Sequence, residues 1–189
     1  MRIICISSGL SPQSRSEEVG RRCVKVLLDQ GVDAVFVSLK DIEVGRFDAS
    51  DIFESDAAKK MCAITASADA LVFASPVYNW GLCAELKKYV EVVGSTDGTR
   101  RSPFFDKVVT FVAAAGLPHS YMAFGSLAIS MMMDFKCVIN PYTVYVHNRH
   151  WEGDQLVEEA TLRIEKSMLV MVELTKLLKE RTYSSTWEI

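Results

Sequence analysis

Three short segments of the 189-residue chain hold most of the side chains able to do chemistry. The first is Ser7-Ser8-Gly9-Leu10-Ser11-Pro12-Gln13-Ser14-Arg15-Ser16. Serine hydroxyls at the start of a helix can donate to an anion. The helix N-terminus adds unpaired backbone N–H groups and a partial positive charge, and Arg15 adds a cation. This set suits a phosphate monoester; the plainer alternative is that the serines only cap the helix. The second segment, Pro76-Val77-Tyr78-Asn79-Trp80-Gly81, sets two aromatics beside an Asn. It suits the border of a planar ring with a polar edge, or a surface turn. The third, Ala113-Ala114-Ala115-Gly116-Leu117-Pro118-His119-Ser120, is rich in small residues that let a backbone approach a flat ligand closely. His119 invites an acid–base role, although a lone loop histidine is more often polar surface.

Other site chemistries lack their residues. There is no G-x-G-x-x-G dinucleotide fingerprint and no G-x-x-x-x-G-K-[ST] loop. Cys5 is no phosphatase nucleophile, because Ile6–Gln13 supplies no Arg. The five cysteines are scattered, with no C-x-x-C pair, so zinc, iron–sulfur and disulfide frameworks are unsupported and no metal site is expected. Buried, reduced thiols and a cytoplasmic location are the expectation.

The elements that must position these segments follow from hydrophobic periodicity. Buried strands are expected at Arg2–Ser7, Val32–Leu39, Ala70–Ser75 (stopped by Pro76), Lys107–Ala113 and Tyr142–His147, the last entered through Pro141. Helices are expected over Ser16–Gln30, from a Ser55-Asp56 cap to Ala66, and over Ala84–Val93, Tyr121–Phe135 and Asp154–Lys179. Met131, Met132 and Met133 are consecutive, so at least one must leave the core-facing stripe. The alternation predicts one doubly wound parallel α/β domain over 1–182, with a tail at 183–189. Right-handed crossovers then put helices on both faces. Ligands of such sheets bind beyond the carboxyl ends of the strands, and the loops after strands one, three and four are the three segments above.

Composition agrees. Apolar residues are 49% and charged residues 24%, which excludes a disordered chain. A net charge of −3 gives no support for a nucleic-acid or membrane-surface partner. No apolar run is long enough to span a bilayer, and the N-terminus reads as a first strand rather than a signal peptide.

With these residues in view, the chain resembles the NADPH-dependent FMN reductases of the flavodoxin-like superfamily from Met1 to about Leu178. The most specific match is Pro76-Val77-Tyr78-Asn79 followed at the family spacing by Leu86-Lys87, similar to P-E-Y-N-x6-L-K. The Ser8…Ser14-Arg15-Ser16 loop resembles the family's FMN phosphate loop. Ala114-Ala115-Gly116-Leu117 is similar to its ring-bordering turn, and Gly153-Asp154-Gln155-Leu156, opening the last helix, to its ending. Departures are Val77 where many members have Glu, Ser11 where they have Arg, and a single Gly in the third loop. The resemblance implies a five-stranded flavodoxin-like sheet of order 2-1-3-4-5, with FMN as cofactor and NADPH or NADH as co-substrate. It implies that Ser8, Ser14, Arg15 and Ser16 hold the phosphate, and that Pro76, Val77, Tyr78, Asn79, Ala114, Ala115, Gly116 and Leu117 border the flavin. Hydride would pass from NAD(P)H to FMN and then to a small-molecule acceptor, ping-pong, with no catalytic side chain, in a homodimer or homotetramer. The alternative is an FMN-holding electron carrier or redox sensor that does not turn over NAD(P)H.

Overall fold

The central strands are buried almost without interruption, and successive residues join opposite cores, so the sheet is covered on both sides. The computed structural model describes residues 1–43, 45–48, 50–94 and 101–187; residues 188–189 of the expected tail lie outside the described residues. On β1 (Arg2–Ser7), Ile4 and Ile6 join one core cluster, while Ile3 and Cys5 join the other. The same division runs through β3 (Ala70–Tyr78) and β5 (Val108–Ala115). Helix α1 (Arg15–Asp29) and the last helix, α5 (Glu158–Lys179), cover one face. Helices α2 (Asp56–Ala66), α3 (Ala84–Gly94) and α4 (Gly125–Phe135) cover the opposite face. An edge-to-face aromatic group (Phe73, Tyr89, Phe104 and Phe111) fills that second layer.

The parallel order is β2 (Asp33–Ser38), β1, β3, β5, and then an edge position. That is the expected flavodoxin-like order 2-1-3-4-5, with one difference. Two short strands, β6 (Val138–Ile139) and β7 (Val144–His147), share the fifth place, both parallel to β5. The interruption has a cause. Buried Asn140 donates to Thr110 Oγ1 at 3.0 Å and to the Ser167 carbonyl at 2.9 Å, and its Oδ1 accepts the Tyr142 N–H at 2.9 Å. These side-chain bonds, with Pro141 lacking an N–H, replace the ladder for one turn.

Three boundaries differ from expectation. Pro76 does not stop β3. Ser8 N–H donates to the Ala74 carbonyl at 2.9 Å, so the next group on that edge of β3 is the Pro76 nitrogen, which has no hydrogen to return to Ser8. The Cys83 thiol donates to the Ser8 carbonyl instead, at 3.4 Å. Freed on that side, β3 runs on into a hairpin with β4 (Gly81–Leu82). Tyr121–Phe124 is a pair of i→i+3 turns before α4, not its first turn. The segment expected to open the last helix is a hairpin, β8 (Trp151–Glu152) and β9 (Gln155–Leu156), because Gly153 takes φ +61° at the first turn position. In α4, Met131 is buried, and both Met132 and Met133 leave the core.

Candidate functional site

The first loop ends in a capped helix. Ser14 Oγ accepts the Glu17 N–H at 3.2 Å as the N-cap of α1, and it hydrogen-bonds Ser16 Oγ at 2.9 Å. Capping and an anion-facing hydroxyl are therefore compatible in one residue. Gly9 makes the fold of this loop possible: a Cβ there would stand 2.0 Å from Ser14 Oγ and 2.8 Å from Ser16 Oγ. The result is a tight cradle of hydroxyls and first-turn N–H groups, whose chemistry fits a phosphate monoester.

The second loop leaves β3 through the β3–β4 hairpin, where Asn79 and Trp80 both adopt left-handed φ, 49° and 64°. Trp80 is well exposed, and its ring lies 5.6 Å from that of His119. The third loop is braced by Tyr145 of β7. Its hydroxyl accepts the Ser120 N–H at 3.2 Å and donates to the Leu117 carbonyl.

The three loops converge on one cleft of about 240 Å³. Of the residues expected from sequence, Ser14, Arg15, Ser16, Pro76, Val77, Tyr78, Ala114, Ala115 and Gly116 line it. Ser8 lies beneath, fully buried; its hydroxyl donates to the Ala74 carbonyl, and the Cys83 thiol hydrogen is shared between the Ser8 carbonyl and hydroxyl oxygens. Asn79 and Leu117 stand at the rim, outside the lining. Arg15 borders the cleft, but its guanidinium turns to the β8–β9 hairpin. It meets Asp154 Oδ1 at 3.2 Å and the Gly153 carbonyl at 3.3 Å, and stacks 4.2 Å over Trp151. Gly9, Leu10, Ser11 and Gln13 of the first loop also line the cleft, and so does Asn148, just after β7. Asn148 is the residue that sequence reading missed, because nothing in a lone Asn after a strand marks it.

A larger depression of about 630 Å³ lies on the outer side of α1. Its charges satisfy one another: Arg21 pairs with Glu17 at 2.8 Å and Arg22 with Glu18 at 2.8 Å, while Lys40 reaches Glu17 at 2.7 Å. The smaller cleft, where all three loops meet, is the better candidate. Its lining contains no Asp, Glu, His, Lys or Cys. Cys5 is core: burial, then Cys23, holds its thiol well above the ordinary range, while Arg21 pulls weakly the other way. Cys23 and Cys137 are likewise pushed up to about 12 by burial. Among the described residues no group of three His, Cys, Asp or Glu is placed to hold a metal, and no helix is long and apolar enough to cross a membrane.

Comparison with known proteins places this chain in a family. The model of the NADPH-dependent FMN reductases matches residues 1–150. A solved structure of RosB with 8-demethyl-8-formylriboflavin-5'-phosphate bound shares the fold at TM-score 0.77 and 16% identity, covering 97% of this chain and 82% of that one. FerB, a flavoenzyme NAD(P)H:(acceptor) oxidoreductase from Paracoccus denitrificans, superposes at TM-score 0.76 and 13% identity, with coverage of 93% and 97%. The apo form of an NADH:FMN oxidoreductase, EMOB, does so at 0.73 and 13%, with coverage of 96% and 91%. No curated protein matches the chain. The chain therefore belongs to the NADPH-dependent FMN reductase family, and it is an FMN-dependent oxidoreductase.

Proposed function

We propose that the 240 Å³ cleft is the FMN site of an NAD(P)H-dependent reductase. In this reading the phosphate lies at the start of α1, against the Ser14 and Ser16 hydroxyls and the first-turn N–H groups. Ser8 supports that loop from below. Arg15 contributes its charge at longer range, because Asp154 and Trp151 hold its guanidinium to one side. Pro76, Val77, Tyr78 and Asn79 border one side of the ring, and the turn of Ala114, Ala115, Gly116 and Leu117 the other. The observation that carries the reading is the convergence of a hydroxyl cradle and a small-residue turn on one cleft.

Bound there, FMN would supply the chemistry for two-electron transfer between NADPH or NADH and a second small-molecule acceptor, used in turn as a ping-pong scheme requires. The side chains of the cleft hold and orient. None of them is an Asp, Glu, His, Lys or Cys. Backbone N–H groups of the third loop can stabilise negative charge that develops on the ring. An open cleft suits successive use by donor and acceptor. The exposed Met132, Met133 and Ile129 of α4 suit a homo-oligomer, and the free cysteines suit a cytoplasmic setting.

Replacing Ser14 and Ser16 together with Ala removes charge-assisted bonds of ~1.5–3 kcal/mol each and is expected to weaken FMN binding tenfold or more. Unchanged affinity in a fluorescence titration would remove the phosphate assignment. Anaerobic addition of NADPH, then NADH, should bleach the flavin absorbance of the loaded protein. No bleaching by either nucleotide would leave an electron carrier.

A further inference from the structure

The turn that follows β7 joins the cleft to a pair of histidines. His147, the last residue of β7, is in register with Ala115 of the third loop. Asn148 comes next. It lines the cleft, with its amide nitrogen 3.8 Å from where a Cβ on Gly116 would stand. Among the described residues that amide has no hydrogen-bond partner. An amide offers a donor and an acceptor side by side, which matches the polar edge of an imide-bearing planar ring.

The two histidines hold the turn. His147 Nδ1 accepts the Arg149 N–H at 3.3 Å, and His150 Nδ1 accepts the His147 N–H at 3.3 Å. Their rings lie 3.9 Å apart, centroid to centroid. A ring nitrogen can accept a hydrogen bond only when it carries no proton, so this pair of bonds requires the neutral imidazole with its hydrogen on Nε2. Protonating either one sets two N–H groups against each other and releases a bond of the turn. Protonating both adds charge repulsion at the stacking distance. Burial, then His150 and Arg149, hold His147 below the usual histidine range. The other titratable or charged groups packed around the pair are Tyr145 on the strand, whose ring is 6.0 Å from His147, together with Tyr121, Glu159 and Arg163, which share a depression with His150.

We propose that Asn148 is a flavin-contacting residue, and that the His147–His150 turn holds its amide over the third loop only while both imidazoles are neutral. This rests on the reading of the cleft as the FMN site. Acid would then weaken the grip on the ring by loosening the turn, although the cleft's own lining contains no Asp, Glu or His.

The test is FMN affinity at pH 8 and pH 5.5 for the wild type, Asn148→Ala, the double variant His147→Asn with His150→Asn, and Ser14→Ala with Ser16→Ala. An Asn carbonyl can accept where Nδ1 does but takes up no proton. FMN's own phosphate titrates near pH ~6, so variants are compared with the wild type at each pH. Asn148→Ala should weaken binding about three- to tenfold at pH 8. The double Asn variant should match the wild type at pH 8 and bind at least about threefold tighter than it at pH 5.5. An Asn148→Ala protein that binds FMN normally, while Ser14→Ala with Ser16→Ala does not, overturns the role of Asn148 and leaves the flavin site standing. A ratio between double Asn variant and wild type that stays flat with pH overturns the role of the histidines. Normal binding by both alanine proteins overturns the site and this inference together.

Discussion

Polar residues gather at both ends of the sheet, and the two ends treat them in opposite ways. At the amino ends of the strands, Asp106 accepts the Ser185 N–H at 2.9 Å and its hydroxyl at 2.6 Å, with Arg181 at 3.6 Å. Buried Lys107 donates to the Ala68 carbonyl, and burial lowers its hold on its proton. Asp69 takes the Arg2 N–H at 2.7 Å and Lys179 at 2.9 Å. Trp187 of the C-terminal segment packs on Phe105 and Phe135. Every one of these carboxylates and ammonium groups is consumed by a structural partner. At the carboxyl ends, Ser14, Ser16 and Asn148 line a cleft, and the Asn148 amide has no partner among the described residues. Richness in polar groups is common to both ends; what separates a latch from a site is whether the donors still have room to bind something else.

The comparison is tested most severely at Gly9. A Cβ there meets Ser14 Oγ at 2.0 Å, so Gly9→Ala must push the cradle open. FMN affinity should fall about a hundredfold, while the apoprotein keeps most of its thermal stability, because the displaced loop borders open space. A Gly9→Ala protein that binds FMN as the wild type does would show that the cradle is not where the ligand is held.

Asp106→Ala should do the reverse. It strips two bonds and an ion pair from the C-terminal segment and leaves the Ser185 N–H without its acceptor. A loss of about 2 kcal/mol is expected, or a thermal midpoint lower by about 4–8 °C, with FMN affinity unchanged. If affinity fell in step with stability, the two ends would not be independent.

A smaller effect separates the ends by pH. Burial raises the Asp69 pKa, but the Arg2 N–H and Lys179 outweigh it, and the net pKa is lowered. A carboxylate with a depressed folded-state pKa contributes stability that is present above its unfolded value and lost as pH falls through the folded one. Stability should therefore decline below about pH 4, and Asp69→Asn should flatten that decline in acid-unfolding curves. An equally steep acid limb in the variant would assign the loss to other carboxylates. Glu17, in the first turn of α1, is lowered as well: burial raises it, and Lys40 and Arg21 more than compensate.

How much of this was legible in the sequence depended on how local the signal was. The Ser55 cap is written in the residues themselves: its Oγ accepts the Ala58 N–H, and α2 runs to Ala66 as the pattern implied. The three loops were found because the ends of strands one, three and four are marked by apolar runs breaking into Ser, Pro and Gly. What escaped was set by tertiary partners. Pro76 continues a strand because Cys83 replaces its missing donor, and the split of the fifth strand depends on Asn140 meeting Ser167 across the fold. The rotation of Arg15 toward Asp154 spans most of the chain's length, and no local pattern reports it. Asn148 enters the cleft only because β7 is in register with β5.

His119 provides the last and smallest test. It sits in the third loop and would attract a catalytic assignment, yet it does not line the cleft; its ring rests on Trp80 at 5.6 Å. A general base must come within hydrogen-bond reach of the proton it moves, and hydride transfer to a bound flavin requires no such group from the protein. His119→Ala should leave the rate of flavin reduction by NADPH or NADH within about twofold of the wild type in stopped-flow measurements, a change of ~0.4 kcal/mol in the barrier. A thousandfold drop would mean that the rim enters the reaction directly. The boundary between the residues that hold the ligand and those that merely frame the opening would then have to be redrawn around the Trp80–His119 pair.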